Sequence, residues 1–349
     1  MFENPWKQDK IDKQGEEYIK KYKGESDKDF SWILDGDKEA IESVYDDNNN
    51  KDKQSIDWGL PNQVVGDPDT ATFFLCLLNP RVQDADSPYD DFKGYVSKES
   101  KGNSDEYFTE KELSKYYQHI IHSKENELSK EIREMKKGNL IERLSKFDKE
   151  YKEIKAVDSE KANLFEKHNN PLRSQYYLYT YYYKMLEKND NSQGNRRAIQ
   201  VGLYQDNHSV EQLNELNICD LELFAYRTES KPNKKLNYLE LESSRYAASL
   251  IINRINNIKK DEKLVFFFRS YKEWAKVIFE VLGEMTGLTG DALKEKYDSL
   301  AKYFYVGSST QKMIISENNI CKAPKEIEGK ATDKISRDEY EEFKNMFKY

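Results

Sequence analysis

The fold is decided by the stretch TATFFLCLLNP at residues 70–80. Phe73 to Leu78 form an uninterrupted apolar run, with turn residues before it and Asn79-Pro80 after it. A short apolar run between turn signals is typical of a strand buried on both faces, as in the middle of a parallel sheet. The following residues, 81–108, are polar and rich in turn formers. Because open α/β sheets bind ligands at the carboxyl ends of their strands, we expect a ligand site in this region.

Three further segments favour strands of the same sheet. They are ICDLELFAYR (218–227), KLVFFFR (263–269) and KYFYVGS (302–308). Helical patterns follow the first two of them, at 243–258 and 271–285. Strand–helix–strand units form right-handed crossovers that cover a sheet on both faces. The order therefore predicts a three-layer αβα protein around a central four-stranded, mainly parallel sheet.

Charged segments flank and interrupt this core. Residues 1–55 are polar and acidic, and they predict an N-terminal extension that wraps over the core. We expect the core domain at 56–325, with a helical insertion at about 100–190 that enlarges one crossover, and a C-terminal helix at 326–349. Ser336 is the predicted N-cap of the last helix, because its hydroxyl can accept a backbone N–H of the first turn.

The composition excludes several classes of protein. The 349 residues are 34% charged, yet 25 Tyr and 16 Phe supply too many apolar rings for a disordered chain. No apolar run is long enough for a membrane helix, and the start MFENPWKQDK lacks the apolar region of a secretory signal. Cys76, Cys219 and Cys321 are far apart and form no CxxC pair, which fits a reducing compartment. We therefore expect a cytoplasmic protein with no membrane partner.

The net charge of −8 is divided unevenly along the chain. Residues 1–110 hold 14 basic and 26 acidic residues, whereas the remainder holds 42 basic and 38 acidic residues. The two parts therefore carry −12 and +4. An overall negative charge disfavours indiscriminate binding to nucleic acid, but the basic remainder still allows a phosphate-binding face.

Motifs for several common cofactors and nucleophiles are absent from the sequence. There is no G-x-x-x-x-G-K-[ST] loop, no strand-linked G-x-G-x-x-G and no G-x-S-x-G elbow. ATP, dinucleotide and serine-hydrolase chemistry therefore have no support in the sequence. We predict that the protein uses no cofactor.

Two groups of residues have the chemistry of metal ligands. His119 and His122 could bind a metal with Glu125 from one helix face, but surface histidines on a polar helix are the favoured interpretation. The second group consists of loop aspartates without the spacing of a calcium loop, so a solvated acidic loop is favoured. These aspartates are Asp84, Asp86, Asp90 and Asp91. We predict no metal site.

A tyrosine-rich segment at 171–186 leaves two interpretations open. Pro171 suits the start of a helix, and six tyrosines follow it. Their rings could form a stacking platform for nucleobases. Consecutive residues point all around a helix, however, so buried packing with a few solvated hydroxyls is the favoured alternative.

The stretch GLPNQVVGDPDTATFFLCLLNPR (59–81) resembles the first motif of the uracil-DNA glycosylase superfamily. In that family a buried strand ends in a loop of the type Gly-(aliphatic)-Asn-Pro-Gly. The later core segments follow in the family's order, as ICDLELFAYR, VFFFRSYKEW (265–274) and YFYVGSSTQKMIIS (303–316). The resemblance covers roughly residues 59–95 and 213–320.

The resemblance implies roles for individual residues. Asn79 would position or activate the water that attacks an N-glycosidic bond, and Pro80 would shape its loop. Tyr89 or Phe92 would stack on a base that is flipped out of its helix. The positions that match the family's second loop are Ser308, Ser309, Thr310 and Gln311.

The sequence also departs from the family's pattern. Arg81 stands where the family has a glycine, whose missing side chain lets the backbone approach a ligand. The second-loop histidine is absent, since no His follows His208. No base-reading Asn ends the second core strand, where Tyr226 and Arg227 stand instead. These departures leave open whether the site cuts or only binds.

Charged side chains at the strand ends suggest how a nucleic acid could be held. Arg227 and Arg269 lie at predicted carboxyl ends of strands, where they could meet a phosphate. The alternative is a structural ion pair with Glu222, because an acid in a buried strand is costly unless it is paired.

The sequence therefore predicts a protein that binds a nucleobase or nucleic acid in a glycosylase-like pocket. Base excision from DNA, in bacterial DNA maintenance or phage defence, is the enzymatic form of this hypothesis and stays open. The alternative is a catalytically inactive scaffold that binds a protein partner through its acidic surface. Asn79 is the predicted catalytic residue. The predicted substrate-binding residues are Pro80, Arg81, Tyr89, Phe92, Tyr226, Arg227, Arg269, Ser308, Ser309 and Gln311.

Overall fold

The chain is an α/β protein built on a mixed sheet of seven strands. The computed structural model describes residues 2–22, 33–45, 61–80, 121–186, 195–228, 231–308, 314–324, 327, 329, 331 and 333–348. None of the helices in these ranges is both long and apolar enough to cross a membrane. The arrangement is consistent with the predicted three-layer α/β class.

All four predicted strands form, but the prediction of a four-stranded, mainly parallel sheet is wrong. The strands are β1 (Val64–Val65), β2 (Phe73–Leu77), β3 (His122–Ser123), β4 (Ile218–Glu222), β5 (Val265–Phe268), β6 (Phe304–Gly307) and β7 (Ile320–Lys322). Their order in the sheet is β3-β1-β4-β2-β5-β6-β7. The three additional strands have two or three residues each, which is too short for a periodic sequence signal.

The sheet is mixed because β1 runs antiparallel to β4. Val64 pairs with Leu221 in that ladder, whereas β2 runs parallel to both β4 and β5. Gly66 ends β1 with a φ of 107°, and a Cβ at this position would lie 2.3 Å from the carbonyl oxygen of Ile218. Only glycine tolerates both that backbone angle and that close approach.

Eleven α-helices accompany the sheet within the described ranges. They are α1 (Gln8–Tyr22), α2 (Asp35–Tyr45), α3 (Glu127–Lys136), α4 (Leu140–Val157), α5 (Ser159–Asn169), α6 (Arg196–Gln205), α7 (Ser209–Asn214), α8 (Glu242–Asn256), α9 (Tyr271–Thr286), α10 (Gly290–Ala301) and α11 (Arg337–Asn345). Ser336 caps α11 by accepting a hydrogen bond from the backbone N–H of Glu339 at 3.2 Å. This confirms the predicted N-cap.

The chain divides into two compact units. The first unit comprises Met1–Lys124, Ile218–Tyr305 and Ala323–Lys330. The second unit comprises Glu125–Asn217, Val306–Lys322 and Ala331–Tyr349. The sequence-based domain limits, 1–55, 56–325 and 326–349, stay a prediction.

The core of the first unit is aromatic. Every residue of β2 is buried, as the apolar run predicts. The ring of Phe74 stacks on that of Phe266 with centroids 4.5 Å apart, and Phe268 contacts the buried Trp274 of α9 edge to face at 5.8 Å. Aromatic pairs of this kind add to the stabilisation that burial of their area supplies.

The N-terminal segment belongs to this core. Trp6 and Ile11 are fully buried, although the surrounding sequence is polar. The indole nitrogen of Trp6 donates to the side-chain oxygen of Gln63, whose amide nitrogen donates to the backbone carbonyl of Ser243 at 2.8 Å. The predicted wrap over the core is therefore attached through both an apolar anchor and a buried hydrogen-bond chain.

The second unit is mainly helical in its described part. The rings of Phe147 in α4 and Phe165 in α5 stack at 5.6 Å and hold these two helices together. The segment predicted as a helix at 171–186 instead begins with a 3-10 turn, Pro171–Ser174, and continues as a π turn, Leu178–Tyr182. The buried carboxylate of Glu131 accepts the backbone N–H groups of Tyr177 and Leu178, at 2.6 and 2.8 Å, where the π turn begins.

Candidate ligand site at the carboxyl edge of the sheet

The strand order reverses between β2 and β5. After β2 the chain forms the edge strand β3 and then β4, which neighbours β2 on one side, whereas from β5 it moves to β6 on the other side. The two crossovers therefore diverge at the carboxyl ends of β2 and β5. In open α/β sheets this switch point is where ligands bind, and we call it the crevice. Residues 78–80 and 269–270 follow these two strand ends.

Asn79 lies at this crevice and is half-buried. Its side-chain nitrogen donates to the hydroxyl of Thr228 at 2.7 Å and to the carbonyl of Pro80 at 3.0 Å. Thr228 is fully buried. These two bonds fix the orientation of the amide, and they connect the loop after β2 to the segment that follows β4.

The backbone next to Asn79 is held equally firmly. The carbonyl of Leu77 accepts the indole N–H of Trp274 at 2.7 Å and the backbone N–H of Leu223 at 3.1 Å. The backbone N–H of Phe224 donates to the carbonyl of Leu78 at 2.8 Å. Preorganised groups lose little entropy when a ligand arrives, so this rigidity suits a recognition site.

Arg269 and the N-terminus of α9 form the other side of the crevice. The backbone N–H of Arg269 donates to the carbonyl of Cys76 at 2.9 Å, which places Arg269 beside the end of β2. Helix α9 begins two residues later, and the side chain of its N-cap, Ser270, makes no capping bond. A helix N-terminus carries a partial positive charge, so both features favour an anionic group at this edge.

The side chain of Tyr226 is buried, and its hydroxyl group bonds to other parts of the first unit. It is fully buried, its hydroxyl donates to a carboxylate oxygen of Asp37 at 2.8 Å, and the same hydroxyl accepts the backbone N–H of Leu34 at 3.2 Å. The Trp6 ring packs against it edge to face at 6.4 Å. Contact between Tyr226 and a substrate, as predicted from the sequence, would require this network to open.

The remaining predicted residues are placed as follows. Pro80 is buried next to Asn79, and Arg227 is half-buried between Tyr226 and Thr228. Ser308 belongs to the second unit, where its hydroxyl donates to the side-chain oxygen of Asn319 at 2.8 Å. Five predicted residues lie outside the described ranges, namely Arg81, Tyr89, Phe92, Ser309 and Gln311.

The cysteines near this edge are poor nucleophiles. Burial raises the pKa of the Cys76 thiol well above its usual range, and the carboxylates of Asp220 and Glu222 raise it further. Burial also raises the pKa of Cys219, on the neighbouring strand. Because the thiolate is the reactive form, both side chains behave as small apolar groups. The predicted pairing of Glu222 with Arg227 or Arg269 stays a prediction.

The prediction that the histidines lie on the surface of a polar helix is wrong for His122. His122 lies in β3 rather than on a polar helix surface, and burial lowers the pKa of its imidazole against the opposing effect of Asp69 and Asp67. Across the described ranges, His, Cys, Asp and Glu form no group of three or more that could hold a metal. His119 and the four loop aspartates lie outside those ranges.

Sequence reasoning missed two residues that build the crevice. Thr228 and Trp274 are both far from Asn79 in the chain, and their contacts depend on the strand order. The one available signal for Trp274 was an apolar aromatic on the first turn of the helix after β5. No protein-family model matches this chain, and neither a curated protein nor a solved structure matches it.

Proposed function

We propose that the first unit binds a nucleobase or nucleic acid at the crevice between the ends of β2 and β5. One observation carries the proposal, namely the reversal of strand order that brings Asn79 and Arg269 to adjacent strand ends. An amide with a fixed orientation is suited to hydrogen bonding with a base edge or a water. A guanidinium beside a helix N-terminus is suited to phosphate.

The resemblance to uracil-DNA glycosylases adds a chemical form to this proposal. In that form Asn79 holds a water for N-glycosidic hydrolysis through its side-chain oxygen, while its nitrogen is bonded to Thr228 and Pro80. The nitrogen contacts support the proposal, because they prevent the amide from rotating away. A cytoplasmic role in DNA maintenance or phage defence would use the same site.

Binding is tested with a fluorescent single-stranded oligonucleotide and a duplex, each over a salt series. Arg269→Gln should lower the slope of log affinity against log salt by about 1, because one phosphate contact is lost. Lys260→Gln is the matched control, since Lys260 is an exposed cation of the same unit on the turn before β5. We expect its affinity and slope to match those of the wild type.

Absence of binding to either oligonucleotide at low salt, where counterion release favours it most, would overturn the proposal. The inactive scaffold with an acidic partner-binding surface would then be the better account. The same conclusion follows if Arg269→Gln and Lys260→Gln behave alike.

Catalysis is tested separately by abasic-site formation in oligonucleotides that contain uracil or modified bases. Asn79→Ala should reduce any base release by roughly 100-fold, the lower range for removing a group that assists the attacking water. Thr228→Val keeps Asn79 but removes the hydroxyl group to which its amide nitrogen donates, so base release should fall by less than in Asn79→Ala. No abasic product from any substrate with the wild-type protein would exclude excision and leave the binding proposal standing.

A further inference from the structure

The second unit contains a cluster of arginine and tyrosine side chains whose positive charge is not offset by the described acidic residues. The guanidinium carbon of Arg196 lies 3.9 Å from the ring centroid of Tyr179 and 4.5 Å from that of Tyr183. The guanidinium of Arg173 also lies over Tyr179, at 4.9 Å. Two cations thus share one aromatic ring. We call Arg173, Tyr179, Tyr183 and Arg196 the Arg–Tyr cluster.

The charge of Arg196 has no carboxylate partner among the described residues. Its Nε is buried and donates no hydrogen bond to these residues. Arg173 does have a partner in Glu166, but the contacts are long, at 3.4 and 3.5 Å, and both side chains are more than a third exposed. A pair of this kind contributes little. Among the described residues, the cluster therefore keeps an excess of positive charge.

The position of Arg196 in its helix increases this excess. Arg196 and Arg197 open α6, whose first turn contains no acidic residue. A cation near a helix N-terminus opposes the positive end of the helix dipole. Arg197 is compensated by two parallel bonds of 2.7 Å to Asp148, whereas Arg196 is not compensated by any described acid. An anion at Arg196 would therefore relieve an unfavourable arrangement.

The cluster is also held in place before any ligand arrives. Glu131 binds the backbone at the start of the π turn, and the bidentate Arg197–Asp148 pair attaches the start of α6 to α4. A guanidinium that stacks on a ring still presents its N–H edge, which matches two oxygens of a phosphate. Stacking on Tyr179 and Tyr183 therefore does not use the terminal N–H groups of Arg196, although its Nε is buried.

We infer that the Arg–Tyr cluster is a phosphate-binding site for single-stranded nucleic acid, separate from the crevice of the first unit. Tyr176 argues for a nucleic acid, because this residue is 38% exposed and lies three residues before Tyr179 on the same segment. Proteins that bind single strands combine backbone-tracking cations with aromatic rings on which bases stack.

The test measures binding of fluorescein-labelled oligo-dT to the full-length protein by anisotropy over a salt series. Arg196→Gln should weaken binding about tenfold and lower the salt slope by about 1, as expected for one phosphate contact. Arg143→Gln removes an exposed arginine of α4 in the same unit and should stay within about twofold of the wild type. Arg196→Lys keeps the charge and should keep the slope while losing part of the affinity.

Three outcomes would overturn the inference. The first is equal behaviour of Arg196→Gln and Arg143→Gln while both melt at the wild-type temperature. The second is a wild-type protein that does not bind the oligonucleotide. The third is Arg196-dependent binding of a phosphopeptide without binding of oligo-dT, which would assign the cluster to another macromolecule.

The two sites are separated by repeating the measurement with Arg269→Gln. Because the two sites bind independently, each single variant should weaken only one of two binding events, and only the double variant should weaken both. A loss confined to Arg196→Gln supports the cluster and contradicts the crevice. A loss confined to Arg269→Gln does the reverse.

Discussion

Tyr226 in the first unit and Tyr179 in the second are both surrounded by polar groups, but they use opposite parts of the side chain. Tyr226 is fully buried and bonds through its hydroxyl to Asp37 and Leu34. Tyr179 is half-buried and meets two guanidinium groups through its ring. Its hydroxyl makes no hydrogen bond to a described residue.

The difference separates a structural role from a binding role. The groups around Tyr226 are paired with one another, so no partner from outside is needed and the network stabilises the fold. The groups around Tyr179 carry charge that the described acids do not offset. Buried networks that are fully satisfied rigidify a core, whereas unbalanced charge favours a ligand.

The largest expected effect on stability comes from replacing Tyr226 or Tyr179 by alanine. Tyr226→Ala should lower the free energy of unfolding by about 4 kcal/mol, since it leaves a cavity and takes a partner from a buried carboxylate. Tyr179→Ala should cost only about 1 kcal/mol, because the ring is partly solvated and its loss mainly removes stacking. Urea denaturation measures both. Equal losses would show that the Arg–Tyr cluster is as structural as the Tyr226 network.

Protonation of Asp37 gives the next effect. Burial raises the pKa of Asp37 to about 6, against hydrogen bonds from Ser243 and Tyr226 that lower it, and the carboxylate of Glu242 adds to the rise. Between the unfolded pKa of about 4 and this value, the folded state binds the proton more tightly than the unfolded state. The contribution of Asp37 to stability is therefore complete below pH 4 and is lost as the pH rises to about 6.

Asp37→Asn should remove this dependence. The difference in unfolding free energy between variant and wild type should move by about 3 kcal/mol in favour of the variant as the pH rises from 4 to 7. Denaturation at several pH values measures this difference. The other carboxylates contribute equally to both proteins, so their effects cancel. Parallel curves for the two proteins would contradict the buried, hydrogen-bonded position of Asp37.

The smallest expected effect on stability comes from removing only the hydroxyl group of each tyrosine. Tyr226→Phe should cost about 1–3 kcal/mol, because it removes one hydrogen bond to a buried charged group and one acceptor for the Leu34 N–H. Tyr179→Phe should change stability by less than about 0.5 kcal/mol, since its hydroxyl has no described partner. Thermal melts of the two variants make a matched pair. A costly Tyr179→Phe would mean that the hydroxyl has a structural role.

The sequence was sufficient for the central strands because their signal is local. Phe73–Leu77 and Val265–Phe268 are apolar throughout, so burial on both faces follows from composition alone. β1 and β3 have two residues each, and their pairing depends on partners far along the chain. The four-strand prediction failed for that reason.

The candidate site was predictable in part. Asn79 follows a buried strand, and this places it at the carboxyl edge without knowledge of the fold. Its bond to Thr228 and the burial of Tyr226 depend on the strand order and on the N-terminal segment. The alternation in ICDLELFAYR does not show which side chain a distant helix will cover. The sequence therefore predicts that Tyr226 contacts the ligand, whereas in the structure it bonds to Asp37.

The π turn makes the positions of Tyr179 and Tyr183 depend on the number of residues in their segment. Its bond from the N–H of Tyr183 to the carbonyl of Leu178, at 3.0 Å, spans one residue more than an α-helical bond. Such a turn is equivalent to an α-helix that has gained one residue by insertion. Loss of one residue between Tyr179 and Tyr183 would restore regular α-helical hydrogen bonding and leave the two tyrosines three instead of four residues apart. A single codon would then change the spacing of the two rings that now contact Arg196.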